Sequence, residues 1–223
     1  MDIFGFPAGP FQTNCYVATG AVAAEGVATP CVVIDPGYGA FKALVPELEK
    51  RNWAPEAIVL THGHIDHIRD VAEMAEHYEI PVLIHSDDEF FLRHPQSASE
   101  QIAMAFHIDQ MKPYETATTF EDGEEVKYAG LAFSVIHAPG HSPGCVMLRT
   151  SDGADEVVFS GDVLFSGSIG RTDLPYSDPV AMQKSLVEKV MPLEDNLMIL
   201  PGHGPTSTIG QEKASNPFLQ NLK

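Results

Sequence analysis

Cysteine is scarce in this sequence of 223 residues: Cys15, Cys31 and Cys145 are odd in number, widely spaced and form no Cys-x-x-Cys pair. That pattern argues against a disulfide framework and fits free thiols in a reducing compartment. Basic residues are few as well, with 13 Lys and Arg against 31 Asp and Glu and a formal net charge of −18. So acidic a chain is not expected to hold nucleic acid in a groove or to settle on an anionic membrane. No apolar run approaches the roughly 20 residues that span a bilayer. The opening Met1-Asp2-Ile3-Phe4-Gly5 lacks a basic stretch leading into a long apolar core, so no signal peptide is expected and the expected location is cytoplasmic. There is also no repeat, low-complexity segment or linker.

What is present suits one soluble domain over residues 1–223. The apolar fraction is 44% and the charged fraction 20%, ordinary for a globular chain long enough to bury a sizeable core. Cys15–Ala18 and Val32–Ile34 read as strands, the second ending in the turn signal Asp35-Pro36-Gly37. Phe41, Leu44, Val45 and Leu48 suggest a helix, and Pro46 argues for a start later than Phe41. Ala57–Leu60 is a strand, and a helix is expected from about Asp66 to Tyr78; Ile80–Ile84 is another strand. From Ser86 to Pro113 only Ile102, Ala105 and Phe106 hint at a helix. Val126–Tyr128 and Leu131–Ile136 read as a hairpin through Ala129-Gly130, and Cys145–Leu148, Val157–Phe159 and Leu197–Leu200 continue the strand pattern. Asp178-Pro179 caps a helix carrying Met182, Leu186 and Val190.

The densest chemistry lies in Thr61-His62-Gly63-His64-Ile65-Asp66-His67, directly after the apolar run Ala57–Leu60. His62 and His64 are two apart, which needs an extended turn at a strand end rather than one helical face. Asp66 and His67 fall where helical spacing begins. Such a strand end, loop and helix start can aim four ligand atoms into one volume, and imidazole with carboxylate suits zinc, iron or manganese. Three more strands run into similar groups: His141 after Leu131–Ile136, Asp162 after Val157–Phe159, and His203 after Leu197–Leu200. Glycine and proline surround each of them, as expected where backbone turns sharply beside a site.

His-x-His-x-Asp-His, a distant His, an Asp in Ser-Gly-Asp and a final His resemble the metallo-β-lactamase superfamily. The resemblance covers nearly the whole chain and implies an αββα sandwich, two mixed sheets flanked by helices, with a one- or two-metal site at one edge. Gly161–Pro175, containing Gly-Ser-Ile-Gly-Arg-Thr-Asp, and Pro201-Gly202-His203-Gly204-Pro205-Thr206 are similar to the compact glyoxalase II-like hydrolases. The resemblance implies that His62, His64 and His141 hold one metal, and that Asp66, His67 and His203 hold a second, with Asp162 bridging. Two Zn2+ are expected, with Fe or Mn as alternatives. Asp35 matches an aspartate that supports the site. The larger glyoxalase II enzymes add a helical domain that contacts glutathione; here 20 residues follow His203, so the thiol carrier is left open.

Two metals sharing a carboxylate lower the pKa of a water between them and supply hydroxide near neutrality. The expected reaction is hydrolysis of a small-molecule thioester of the S-acyl-thiol type, with Asp66 and Asp162 as the catalytic carboxylates and no serine or cysteine nucleophile. Cys145 begins an apolar strand and reads as a small buried hydrophobe. His77, His85, His94 and His107 are left outside the ligand set; His137, four residues before His141, suits a hydrogen bond that supports it. Arg171 either faces the site mouth and binds substrate or pairs locally with Asp173. The rivals are a mononuclear Fe(II) persulfide dioxygenase using His62, His141 and Asp162, a lactonase, and a metal-binding protein without turnover. Oligomeric state is not readable.

Overall fold

Alternation along the first strands sorts their side chains into two environments. Cys15, Val17, Cys31 and Val33 pack toward helices, whereas Tyr16, Ala18, Val32 and Ile34 pack toward a second sheet. A strand buried on both faces needs an apolar residue at every position, which is why Val32-Val33-Ile34 shows no alternation of polarity. The computed structural model describes residues 1–21, 23–95 and 99–222.

The first sheet runs in chain order: β1 (Asp2–Ala8), β2 (Thr13–Thr19), β3 (Thr29–Ile34), β4 (Trp53–Val59), β5 (Val82–His85) and β6 (Thr118–Phe120). β1 to β3 pair antiparallel, and β3 to β6 pair parallel. Parallel pairing needs crossovers. α1 (Ala40–Arg51) crosses from β3 to β4, and α2 (Ile65–Ile68) with α3 (Val71–Tyr78) crosses from β4 to β5. α4 (Glu89–Arg93) and α5 (Glu100–Ala105) precede β6.

The second half opens with β7 (Glu125–Tyr128), β8 (Leu131–His137), β9 (Val146–Ser151) and β10 (Glu156–Gly161). A two-stranded hairpin of β11 (Leu164–Phe165) and β12 (Ser168–Ile169) follows, then α6 (Pro179–Ser185), β13 (Met198–Pro201), β14 (Ser207–Thr208), α7 (Ile209–Ser215) and α8 (Pro217–Gln220). The sheet order is β14-β13-β10-β9-β8-β7, with only β10 and β13 parallel.

Three apolar layers hold this together. Leu44, Leu48, Val71 and Met74 cover the outer face of the first sheet. Val32, Val59, Phe133, Leu148 and Phe159 fill the space between sheets, and Met182, Leu186, Ile209 and Leu219 cover Met147, Val158 and Ile199 on the far side. The architecture is the αββα sandwich of two mixed sheets that the resemblance implies. All three cysteines are buried and unpaired, and burial raises the Cys31 thiol to about 12 and those of Cys15 and Cys145 well above their ordinary range. Among the described residues no helix is long and apolar enough to cross a membrane.

Local expectations need correction in places. α1 starts at Ala40 with Pro46 inside it, so the proline does not delay the helix; burial of Ala40, Leu44 and Leu48 outweighs the one missing hydrogen bond. The helix expected from Asp66 to Tyr78 is two helices, α2 and α3, interrupted at Arg69-Asp70. Within 86–113 the described residues form α4, α5 and two short 3-10 turns, Ser86–Asp88 and Ile108–Gln110. α5 carries Ile102 and Ala105. β1 and β6, with little or no apolar run of their own, went unread.

Candidate metal centre

Four strand ends deliver the histidines and aspartates to one seam between the halves. β4 leads into His62 and His64, and α2 carries Asp66 and His67. β8 leads into the loop with His141, β10 into Asp162 and β13 into His203. The structure brings together all seven side chains proposed from the sequence. His62, His64 and His141 each place a ligand atom within 4.8 Å of the others, and so do Asp66, His67 and His203.

Asp162 lies between the two groups. One carboxylate oxygen is 3.3 Å from His67 Nε2, and the other is 3.3 Å from His141 Nε2 and 3.6 Å from His203 Nε2. His203 Nε2 is 3.1 Å from Asp66 Oδ2, and His64 Nδ1 is 2.8 Å from His141 Nε2. The glycines here are required by close approach. A Cβ on Gly202 would collide with Asp162 Oδ1 and His67, and one on Gly170 with the Asp162 carbonyl oxygen.

Each outer nitrogen has its own anchor. His67 Nδ1–H donates to Asp35 Oδ2 at 2.9 Å, and Asp35 also accepts from Thr61 N at 2.8 Å and Thr61 Oγ1 at 2.6 Å. His141 Nδ1–H donates to the Arg171 carbonyl at 2.8 Å, and His203 Nδ1–H to the Phe11 carbonyl at 3.1 Å. These bonds leave Nε2 of each ring facing the centre, the arrangement that orients metal-binding histidines. Thr13 Oγ1 donates to Asp66 Oδ2 at 2.9 Å. The turn carrying His203 is itself held by β2: Asn14 N donates to the Gly202 carbonyl, and Asn14 Nδ2 to those of Pro201 and Gly204.

The donor set fits a cation. Among the described residues, His62 Nε2, His67 Nε2 and Asp162 Oδ1 are buried without a hydrogen-bond partner. Orphaned buried polar atoms are costly, and these belong to residues of both ligand groups and to the aspartate between them, as a cation site would have it. Burial and the neighbouring imidazoles hold His62 far below the ordinary histidine range and His64 at about 3. Burial works against charge on Asp66 and Asp162, but the surrounding imidazoles outweigh it and keep both ionised. Neutral imidazole beside ionised carboxylate is the state a metal requires. His67 is drawn the other way: burial opposes its charge, but Asp66, Asp162 and Asp35 hold it protonated, so metal entry must displace that proton.

Two residues took roles the sequence did not point to. Asp88, fully buried, accepts from Gly63 N at 2.8 Å, Ser142 Oγ at 2.7 Å and Gly144 N at 2.6 Å. It ties the His62–His64 loop to the His141 loop. Its position three residues beyond β5 repeats the strand-end pattern of the other site residues, and that was the available signal. Arg171 contributes its carbonyl, while its guanidinium forms a bidentate pair with Asp173 at 2.7 and 2.8 Å. The side chain lines the cavity mouth and also forms the local pair, so both placements open to it in the sequence are present together. His137 stacks on His85 with ring centres 3.9 Å apart and donates from Nε2 to the Pro143 carbonyl at 2.8 Å, so it supports the His141 loop rather than the His141 ring.

Comparison with known proteins places this geometry. A model of the metallo-beta-lactamase superfamily matches residues 8–203. An uncharacterized protein of Mycobacterium tuberculosis is 37% identical over 100% of this chain and 99% of its own length. Hydroxyacylglutathione hydrolase GloC of Haemophilus influenzae is 34% identical over 99% of each chain. Two solved structures superpose along nearly the whole chain. The BLEG-1 B3 metallo-beta-lactamase is 37% identical with a TM-score of 0.81, covering 98% of this chain and 99% of that one. TTHA1623, solved in a di-iron-bound form, is 39% identical with a TM-score of 0.79, covering 97% and 100%.

Proposed function

This chain belongs to the metallo-beta-lactamase superfamily, and from that premise we propose that it is a dinuclear metallo-hydrolase cleaving thioesters of the S-acyl-thiol type. The observation that carries the reading is the position of Asp162, within 3.3–3.6 Å of His67, His141 and His203 and so able to serve both groups. His62, His64 and His141 would hold one metal, Asp66, His67 and His203 the other, and Asp162 both. All-nitrogen and oxygen donors in this mixture favour zinc. The di-iron-bound relative makes iron the alternative, and manganese suits the same donors.

When bound, the metal pair would supply an acidified water as nucleophile and an electrophile for the carbonyl oxygen. The chain does the rest. Asp35, the Arg171 carbonyl and the Phe11 carbonyl accept from Nδ1 of three imidazoles, so Nε2 is the nitrogen each offers to a metal, in His67 once its second proton has left. Thr13 holds Asp66 in place through its hydroxyl. Apolar side chains line much of the cavity beside the centre, so fewer waters compete with the charged groups there. A thiolate leaves with little acid assistance, because thiols ionise near pH 8.5. Cys145 is no nucleophile, since burial keeps its thiol protonated. The name of the GloC relative supports the thioester as the bond cleaved.

A dioxygenase with one iron on His62, His141 and Asp162 would draw on the same seam but leave Asp66 and His203, 3.1 Å apart, without a role. The deciding experiment is a screen of metal-analysed protein against thioesters, a lactone and a β-lactam, with oxygen uptake followed on a persulfide. Thioester hydrolysis by protein carrying two metals per chain is expected. Oxygen uptake by protein holding one iron would overturn the proposal.

A further inference from the structure

The seam opens into a cavity of about 450 Å³ whose walls are apolar. Phe11, Phe91, Phe165, Ile169, Leu174 and Tyr176 line it beside His64, His141 and His203. The aromatic rings reach the candidate ligands themselves: Phe91 meets His64 edge-on with ring centres 5.5 Å apart, and Phe165 meets His203 at 5.9 Å. The hydrophobic surface continues out to the mouth, where Phe11 is 46% and Tyr176 56% exposed. Exposed aromatics around a functional cavity are costly to keep unless something apolar covers them.

The charge of the walls points the same way. Among the described residues Arg171 is the sole lysine or arginine lining the cavity, and Asp173 accepts from its Nε and Nη2. A substrate carboxylate would have to compete with Asp173 for this guanidinium, inside a chain of net charge −18. Glutathione carries two carboxylates, and a lactoyl group is small and hydroxylated. Neither matches these walls.

We propose that the cavity selects a thioester with a bulky apolar acyl group on a thiol arm that carries no carboxylate. The proposal rests on the hydrolase reading for the bond cleaved, but the cavity's selectivity is measurable without turnover. The probes are non-hydrolysable thioethers, S-propyl and S-hexyl, built on N-acetylcysteamine as the neutral arm and on glutathione as the anionic arm. Calorimetry on the metal-loaded protein reads their binding.

On the neutral arm, affinity should rise by up to about fourfold per added methylene, so roughly tenfold or more from propyl to hexyl. The glutathione thioethers should bind more weakly than their neutral counterparts. Phe11→Ala, at an exposed position, should flatten the ladder. Leu174→Lys should raise the glutathione probes relative to the neutral ones; melting temperature and metal content check that both variants fold. Equal affinity for propyl and hexyl, or preference for the glutathione arm, would overturn the proposal. An intact ladder in a protein that hydrolyses no thioester would support the selectivity and remove the hydrolase reading. Hydrolysis of S-lactoylglutathione with a flat ladder would do the reverse.

Discussion

His141 turns its Nδ1–H onto the main-chain oxygen of Arg171, 2.8 Å away, while the Arg171 side chain points to Asp173 on the surface. The backbone of this residue therefore orients a candidate ligand, while its side chain sits at the cavity mouth in a pair with Asp173. The guanidinium and its partner are 61% and 71% exposed, so solvent screens the pair and it contributes little to stability. Arg171→Ala should retain its metal and lose little turnover, to the same small degree on anionic and neutral thioesters. A selective loss on the anionic one, with metal unchanged, would return the side chain to substrate binding.

Asp162 and Asp66 separate the metals. If Asp162 serves both groups, Asp162→Ala should lose more metal than any other single ligand change, whereas Asp66→Ala should lower occupancy to about one metal per chain. Elemental analysis after dialysis measures both. Full activity of Asp66→Ala with one tightly held iron would favour the mononuclear alternative.

Asp88 should matter as much as a ligand without being one. Removing its carboxylate strands Gly63 N, Ser142 Oγ and Gly144 N, each a buried donor. At about 1–3 kcal/mol per orphaned donor, Asp88→Ala should cost roughly 3 kcal/mol or more, about 10 °C in a chain of this size. Metal should also dissociate faster, because the two ligand loops are no longer tied. An unchanged melting temperature would show that water replaces the carboxylate.

Asp70 predicts a pH dependence of opposite sign to the usual carboxylate. Burial raises its carboxyl to about 6, although it accepts from Phe41 N at 3.1 Å. Between its unfolded value of 3.8 and 6 the folded chain keeps a proton that the unfolded chain releases. Raising pH across that window therefore weakens the fold, and the cost is complete above pH 6. Asp70→Asn retains an acceptor for Phe41 and should stabilise at pH 7.5 by at most about 3 kcal/mol, less the part lost with Arg69, and not at all near pH 3.5. Thermal melts at the two pH values test it; an equal gain at both would refute the burial argument.

The site was more legible in sequence than the fold around it. Metal ligands need particular residue types on short turns, so His62, His64, Asp66 and His67 announce themselves within six residues. Asp162 follows a strand buried at every position after Glu156, His203 one buried after Met198, and His141 one whose apolar positions alternate with less buried ones. β1 was not legible because Asp2–Ala8 lies at the sheet's edge, with no position fully buried. The break at Arg69-Asp70 was hidden for another reason. Arg69 looks like an ordinary helix former, but it is buried and donates to the Phe106 carbonyl at 2.7 Å, a contact 37 residues away. Asp88 and the Arg171 carbonyl act through three-dimensional neighbours, and main-chain oxygens carry no residue-type signal at all.

The grip of Asn14 on the Pro201–Gly204 turn has a consequence for synthesis. A ribosome delivers β2 early and His203 nearly 190 residues later, yet Thr13 and Asn14 form the seat into which His203 settles. Six of the seven candidate ligands have been made once residue 162 has emerged, but the seventh and its cradle come from segments nearly 190 residues apart. Completion of the centre therefore waits until the segment carrying His203 has been made. A nascent chain halted before His203 would lack that ligand, and Asn14 Nδ2 would lack the Gly204 carbonyl it donates to.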